Sequence, residues 1–263
     1  MGTTLRRALD LLEALSREEV VAAGGSGVAR LAELTATEKS QVSRTLKTLA
    51  EFGLVEHRPD TRGYRLGWHL YVLAARSGDR RLLDASLPVL RHLVRAIGER
   101  SHLSVLRGAQ VLTVLSESPP HSVQTAGWVG RTVPAYCTSS GRALLCDRDR
   151  QALGELFGDE AFDRHGPNAP VDVDDLAIRV ERAAAEGVAV VDEEFEAGLV
   201  GIAAPVRDAQ GRVVAALSVS APKFRLDQQL GRAVDAVRGG AVAVSAVLGW
   251  RHPDGAALVR AES

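Results

Sequence analysis

Apolar residues recur at three- and four-residue intervals in the first part of the chain. This spacing predicts an amphipathic first helix, two more helices at residues 28–34 and 38–52, and a polar turn between those two. A glycine-rich stretch, residues 22–27, follows the first helix, and we expect a flexible break there. The first helix is indicated by Leu5, Leu9, Leu12 and Leu15.

Two short strand-like segments come next, at residues 54–58 and 63–66. The segment between them, Pro59-Asp60-Thr61-Arg62, is rich in turn-forming residues, so the three together predict a hairpin with a polar tip. Helices followed by a hairpin within about 65 residues are typical of a winged helix-turn-helix.

The helix at 38–52 has two distinct sides. At about 100° per residue, Val42, Leu46 and Leu49 fall within one narrow sector, which we expect to face the core. Its N-terminus has two candidate caps, either Thr37 alone or Thr35 in a capping box with Glu38.

The opposite side of this helix is polar and almost free of acids. Arginine and glutamine side chains recognise guanine and adenine edges, while serine and lysine hold phosphates. Residues 39–65 contain six basic and three acidic residues, which suits a polyanion. The predicted DNA contacts are Lys39, Ser40, Gln41, Ser43, Arg44 and Lys47, with Arg62 on the wing. The alternative is a winged helix that contacts only proteins.

The remainder of the chain mixes strands with helices. We expect a buried connecting helix at residues 66–75 and a helix at 79–99, followed by an α+β domain with a largely antiparallel sheet and helices on its faces. The predicted organisation is a winged helix at 1–66, a linker helix at 67–79, a second domain at 80–250 and a tail at 251–263. The predicted strands are 102–107, 110–116, 188–192, 200–206 and 213–220, and the predicted helices are 141–147, 148–157, 174–186 and 226–248.

Composition narrows the class of protein. The chain has 263 residues, 46% of them hydrophobic, and a net charge of −1, which excludes a wholly disordered or fibrous chain. It contains no apolar run of about 18 residues and no apolar signal core, so we expect a cytoplasmic protein with no membrane contact. Two cysteines, Cys137 and Cys146, fit a reducing compartment.

Signatures of catalysis and metal binding are missing from the sequence. The cysteine and histidine spacings do not match a zinc site, and no nucleophile elbow or phosphate-binding loop is present. We therefore expect no catalytic residues, no cofactor and no metal, and we expect His102 to be a surface or satisfied core residue. A remote alternative is an enzyme that depends on Cys137 or Asp192.

Several motifs together resemble the IclR family of bacterial transcription regulators, from about Leu5 to Leu248. KSQVSRTL at 39–46 and LAEFGLVE at 49–56 are similar to the family's winged helix. GRTVPAYCTSSGRALL at 130–145, EGVAVVDEEFEAGL at 186–199, IAAPV at 202–206 and ALSVS at 216–220 resemble the motifs of its second domain in their order.

The resemblance implies a GAF-like effector-binding domain joined to the winged helix. It also implies a homodimer or dimer of dimers on a palindromic double-stranded operator, acting as a repressor rather than an activator. The effector is expected to be a small metabolite such as a carboxylate or an aromatic compound. The effector-binding residues carried over from the family are Ser139, Ser140, Gly141, Asp192, Gly201, Ser218 and Ser220.

Two positions depart from the family. Many relatives carry an acid where this chain has Val191, and some carry a larger side chain at Gly201, which changes the polarity and volume of the expected pocket. From the residues alone, Ser218 and Ser220 alternate along a strand and share one face, and the N–H groups after Gly141 favour an anion. The alternative is that these serines are caps and fillers and the acids an exposed loop.

Overall fold

A computed structural model of the chain describes residues 3–58, 63–75, 80–119, 128–158 and 162–251. The fold consists of two compact units, Met1–Arg80 and Arg81–Ser263, each with its own core. Within the predicted linker and tail, residues 76–79 and 252–263 lie outside the described residues.

The first unit is a winged helix-turn-helix, as predicted. Its core is formed by the apolar sides of the helices, with Leu11, Leu31 and Leu46 fully buried. Its elements are α1 (Thr3–Ser16), α2 (Glu18–Ala22), α3 (Val28–Leu34), α4 (Lys39–Glu51), β1 (Val55–Arg58), β2 (Gly63–Leu66) and α5 (Trp68–Ala75).

The first helix is amphipathic, as predicted, but its buried side coincides only in part with the predicted leucine stripe. The buried side of α1 contains Leu11 and Leu15, whereas Leu5 and Leu9 are 68% and 51% exposed, because the buried stripe lies about one residue's rotation away from the predicted one. The glycine-rich stretch separates α2 from α3, as predicted, and it is hydrogen-bonded to the wing. It contains Ser26, whose backbone pairs with Tyr64 of β2 through two hydrogen bonds of 2.8 and 2.9 Å.

Neither predicted cap of α4 forms. The N-cap position is Glu38, and it makes no side-chain capping bond. The hydroxyl of Thr35 donates to the Leu31 carbonyl at 2.8 Å, and that of Thr37 donates to the Thr35 carbonyl at 3.0 Å. The Thr35 hydroxyl therefore binds a carbonyl of α3 and the Thr37 hydroxyl binds one of the turn, since serine and threonine side chains often hydrogen-bond nearby backbone groups.

The helix α5 is present but is not buried within the chain. Trp68, Tyr71 and Leu73 are 71%, 58% and 50% exposed. The expectation of a buried connecting helix was wrong because it rested on composition, and composition does not say which partner covers an apolar surface.

The second unit is the predicted α+β domain. Its elements are α6 (Arg80–Ile97), β3 (Arg100–Arg107), β4 (Gln110–Glu117), β5 (Thr132–Pro134), α7 (Ser139–Leu144), α8 (Arg150–Phe157), α9 (Val173–Glu186), β6 (Ala189–Asp192), β7 (Leu199–Arg207), β8 (Val213–Pro222), α10 (Lys223–Leu226), a 3₁₀ turn (Asp227–Gln229) and α11 (Leu230–Val247).

Six strands form one antiparallel sheet in the order β5-β4-β3-β8-β7-β6. Alternation along β8 separates its two faces. Leu217 and Val219 pack in a core with the apolar sides of α6 and α11, while Ala216 packs in another with residues of α7 and α9. The short edge strand β5 was not predicted because three residues show no periodicity.

The start of α7 lies unusually close to the chain that precedes it. A Cβ atom at Gly141 would lie only 2.0 Å from the carbonyl oxygen of Ala135. Only glycine allows this approach, so Gly141 holds Ser139 and Ser140 over the sheet.

We expect Gly141→Ala to lower the free energy of unfolding by about 3 kcal/mol, the upper end for overpacking, because backbone atoms must move to make room. Gly231→Ala in the first turn of α11 is the control, since nothing lies within 4 Å of its Cβ position. The control should gain up to about 1 kcal/mol from helix propensity. Urea unfolding measures both variants, and equal stability of the two would contradict the assignment.

Candidate functional site

The exposed side of α4 presents the residues predicted to contact DNA. Val42, Leu46 and Leu49 are buried, so the opposite side of the helix faces solvent. Lys39, Ser40, Ser43, Arg44 and Lys47 are exposed and Gln41 is half-buried, while Arg62 lies outside the described residues. One face therefore brings together three cations, two hydroxyls and an amide.

A groove of about 430 Å³ lies between this face and α1. It is lined by Arg7 from α1 and by Gln41 and Arg44 from α4, among others. Arg7 was not among the predicted contacts, although the Arg6-Arg7 pair at the start of an amphipathic helix was a signal for it. The groove adds a cation beside the face that carries the predicted base contacts.

The strands of the wing contain an internal ion pair. Arg65 donates from Nε and Nη2 to Glu56 Oε2 at 2.9 and 2.7 Å. The hydrogen bond from Arg65 holds the pKa of the Glu56 carboxyl below its usual value. The charge of Arg65 is thus compensated within the hairpin.

The second unit contains a small cavity of about 80 Å³ between the sheet and the start of α7. Five of the seven predicted effector residues line it: Ser139, Ser140, Gly201, Ser218 and Ser220. The lining also includes His102, Ser104, Thr113, Trp128, Thr138, Val191 and Phe195. None of these additional residues was a predicted effector contact, although Val191 stands out in the sequence as a departure from the family.

Hydroxyl groups from α7 and β8 meet inside the cavity. Ser140 Oγ donates to Ser218 Oγ at 2.9 Å. A Cβ atom at Gly201 would lie 2.7 Å from Ser139 Oγ, so the absence of a side chain there leaves room for that hydroxyl. The cavity can therefore offer several hydroxyls to a polar group of a ligand.

The structure does not bring Gly141 and Asp192 into the cavity lining. Gly141 lies against Ala135, as described above. The carboxylate of Asp192 binds Lys223 Nζ at 2.7 Å, and Lys223 also contacts Glu193 at 3.2 Å. The hydrogen bond with Asp192 raises the pKa of Lys223. At the adjacent position Val191 lines the cavity, because successive strand residues face opposite sides.

The third acid of this stretch forms a buried ion pair. Glu194 accepts from Arg142 Nη1 at 2.9 Å, and the two side chains are only 7% and 4% exposed. Arg179 reaches the same carboxylate at 3.1 Å. The acidic stretch 192–194 is therefore neutralised by basic residues of α7, α9 and α10, and is not the exposed loop that was the alternative.

The imidazole of His102 is 6% exposed, and its Nδ1 atom has no hydrogen-bond partner among the described residues. Burial, together with the charge of Arg100, lowers the pKa of His102 to about 4. Its ring lies 5.5 Å from the ring of Trp128, measured between centroids. The expectation of a surface or satisfied core histidine was wrong, since a lone histidine carries no signal for a cavity.

Cys137, the residue of the enzymatic alternative, is fully buried. Burial raises the pKa of its thiol to about 12. Because the thiolate is the reactive form, Cys137 is not an activated nucleophile at neutral pH.

A winged helix with an exposed polar helix face, followed by a sheet domain with an internal cavity, defines a DNA-binding regulator with a sensor domain. Comparison with known protein families agrees. The model for the bacterial transcriptional regulator IclR C-terminal domain matches residues 77–246, and that for the IclR helix-turn-helix domain matches residues 4–59. The chain belongs to the IclR family of bacterial transcriptional regulators.

Individual relatives span most of the chain. The Pca regulon regulatory protein of Pseudomonas putida is 30% identical over 220 residues, which cover 83% of this chain and 74% of that protein. The transcriptional repressor AllR of Salmonella typhi is 27% identical over 252 residues, covering 95% and 91%.

Among solved structures, an IclR homologue from Microbacterium hydrocarbonoxydans complexed with 4-hydroxybenzoate has a TM-score of 0.75 and 26% identity. The superposition covers 94% of this chain and 99% of the homologue. Within the described residues, no helix is both long and apolar enough to cross a membrane.

We expect the buried histidine to make the stability of the second unit depend on pH. The pKa of His102 is about 4 in the folded protein, against 6.5 as its usual value, so the unfolded chain binds the proton first as the pH falls. The stabilisation is complete above pH 6.5 and is lost between 6.5 and 4, by about 2 kcal/mol at pH 5.

His102→Gln does not titrate in this range and serves as the reference. Urea unfolding at several pH values should show wild type losing stability faster than the variant as the pH falls. Parallel pH profiles would contradict the prediction.

Proposed function

We propose that this protein is a cytoplasmic, ligand-responsive repressor that binds a palindromic operator as a dimer or a dimer of dimers. The observation that carries the proposal is the combination, in one chain, of the exposed polar face of α4 and the hydroxyl-lined cavity of the second unit. The relative AllR is named a repressor, which supports repression.

In this proposal α4 enters the major groove. Arg44 and Gln41 have the donors that read guanine and adenine edges, while the serines and lysines of the face suit phosphates and base edges. Arg7 lines the groove beside Arg44 and Gln41 and adds a backbone contact. The full set is Lys39, Ser40, Gln41, Ser43, Arg44 and Lys47, with Arg62 on the wing.

The cavity is the proposed effector site. Ser139, Ser140, Ser218 and Ser220 offer hydroxyls to the ligand, and Gly201 makes room for the hydroxyl of Ser139. Gly141 and Asp192 support the site from outside the lining. The 4-hydroxybenzoate complex of the Microbacterium homologue supports a small organic effector. Such a ligand shifts the protein between DNA-binding and released states only by its differential affinity for them.

Self-association is supported by exposed apolar side chains on the first unit. Leu5 and Leu9 of α1 and Trp68 and Tyr71 of α5 are each more than half exposed. Large apolar groups clustered on a surface usually mark an interface. Two copies of the winged helix are also what an inverted repeat requires.

Capture of sheared genomic DNA by the purified protein, followed by sequencing, tests the proposed function. At near-physiological salt we expect enrichment of a few sites that contain an inverted repeat. Salt-insensitive binding without sequence preference, by folded protein, would instead favour a winged helix that contacts proteins.

On a captured site, we expect Arg44→Ala to cost about 1–3 kcal/mol and to relax the sequence preference at one position. Lys47→Ala should weaken all sequences similarly and reduce the slope of log K against log salt by about 1, if it binds phosphate. Fluorescence anisotropy over a salt series measures both variants.

Arg238→Ala is the matched control, because it removes one exposed cation from α11 of the second unit. Wild-type affinity of Arg44→Ala would show that the assigned face of α4 is wrong.

A further inference from the structure

The cavity contains a polar atom whose hydrogen-bonding capacity is unused. Among the described residues, two buried side-chain nitrogen or oxygen atoms lack a partner, His102 Nδ1 and Arg142 Nε. Of these two residues, only His102 lines the cavity. A buried polar atom without a partner costs folding free energy and calls for an explanation.

The position of His102 places it beside the hydroxyls of the cavity. His102 on β3 lies directly opposite Ser218 on β8 in the sheet register. Directly opposite residues of an antiparallel pair have neighbouring side chains on one face. A ligand group held near the Ser140–Ser218 hydrogen bond therefore lies within reach of the imidazole.

Among the described residues that line the cavity, none carries a charged side chain, and His102 is neutral at pH 7. The neighbouring acids at 192–194 are neutralised by Lys223, Arg142 and Arg179 outside the lining. A carboxylate placed here would be buried without a cation, which is costly, whereas an uncharged hydroxyl would be satisfied.

Aromatic side chains limit the shape of the ligand. The Trp128 ring is tilted by 54° to the ring of His102. The guanidinium of Arg131 lies 5.6 Å from the centroid of the Trp128 ring, but Arg131 is not among the lining residues. Phe195 adds another ring to the lining. A volume of about 80 Å³, at about 10–15 Å³ per water, has room for roughly six waters and hence for a single small ring.

We propose that His102 and Trp128 form the specificity-determining part of the cavity. His102 Nδ1 hydrogen-bonds an uncharged hydroxyl on a single aromatic ring, and that ring packs against Trp128. The inference deepens the proposed function, because it rests on the cavity being the effector site.

Isothermal titration of the full-length protein with phenol and with benzoate at pH 7.5 tests this assignment. The two probes share a ring and differ in charge. Phenol should bind saturably and about tenfold more tightly than benzoate, because the carboxylate of benzoate would be buried without a cation. Equal or tighter binding of benzoate, or binding of neither probe at millimolar concentration, would overturn the proposal.

Substitutions of His102 and Trp128 test whether phenol binds in this cavity. His102→Leu should weaken phenol binding about tenfold, and His102→Gln, which keeps hydrogen-bonding groups, should retain part of it. Trp128→Ala should weaken it, whereas Trp128→Phe keeps a ring and should bind nearly as wild type. His92→Leu removes an exposed histidine from α6 and is the control. Unchanged phenol binding in both His102→Leu and Trp128→Ala would overturn the assignment.

The titration needs no DNA, so its outcome is separate from that of the genomic capture. Phenol binding that depends on His102, without DNA capture, would refute the proposed function and leave the subsite in place. DNA capture without this binding pattern would refute the subsite alone.

Discussion

The approach of α7 to the sheet depends on two positions that have no side chain. Gly141 lets the chain at the start of α7 lie against the backbone of Ala135, and Gly201 on β7 leaves room for the hydroxyl of Ser139. Together they bring the serines of α7 onto those of β8. Protein interiors are densely packed, so the space left by these two glycines allows hydroxyl groups to lie between the helix and the sheet.

The charged side chains near the cavity are paired with one another outside its described lining. Asp192 and Glu193 bind Lys223, and Glu194 is paired with Arg142 in the interior. Removal of one partner of a buried pair leaves an uncompensated charge, which is why such pairs hold a segment in one place. Residues 192–194 are thus fixed by ion pairs, and the described lining of the adjacent cavity consists of hydroxyls, one neutral imidazole, aromatic rings and aliphatic side chains.

Sequence periodicity predicted the elements of both units well, since helices and strands bury every third or fourth and every second residue. The predictions failed where nearby backbone carbonyls compete for a side-chain hydroxyl. The hydroxyls of Thr35 and Thr37 bind nearby backbone carbonyls, those of Leu31 and Thr35, and do not cap α4. The prediction of a buried connecting helix, which rested on composition, also failed, because Trp68, Tyr71 and Leu73 of α5 remain at least half exposed.

By itself the sequence determined the order of elements, the polar face of α4, the family and most of the serines that line the cavity. Only the tertiary structure decided which side chains enter that cavity. Val191 faces it and Asp192 does not, and His102 on β3 lies there although no motif marks it. The physical reason is that a shift of one residue in a strand exchanges its two faces. Which face is enclosed is set by the packing of α7 and by the register with neighbouring strands.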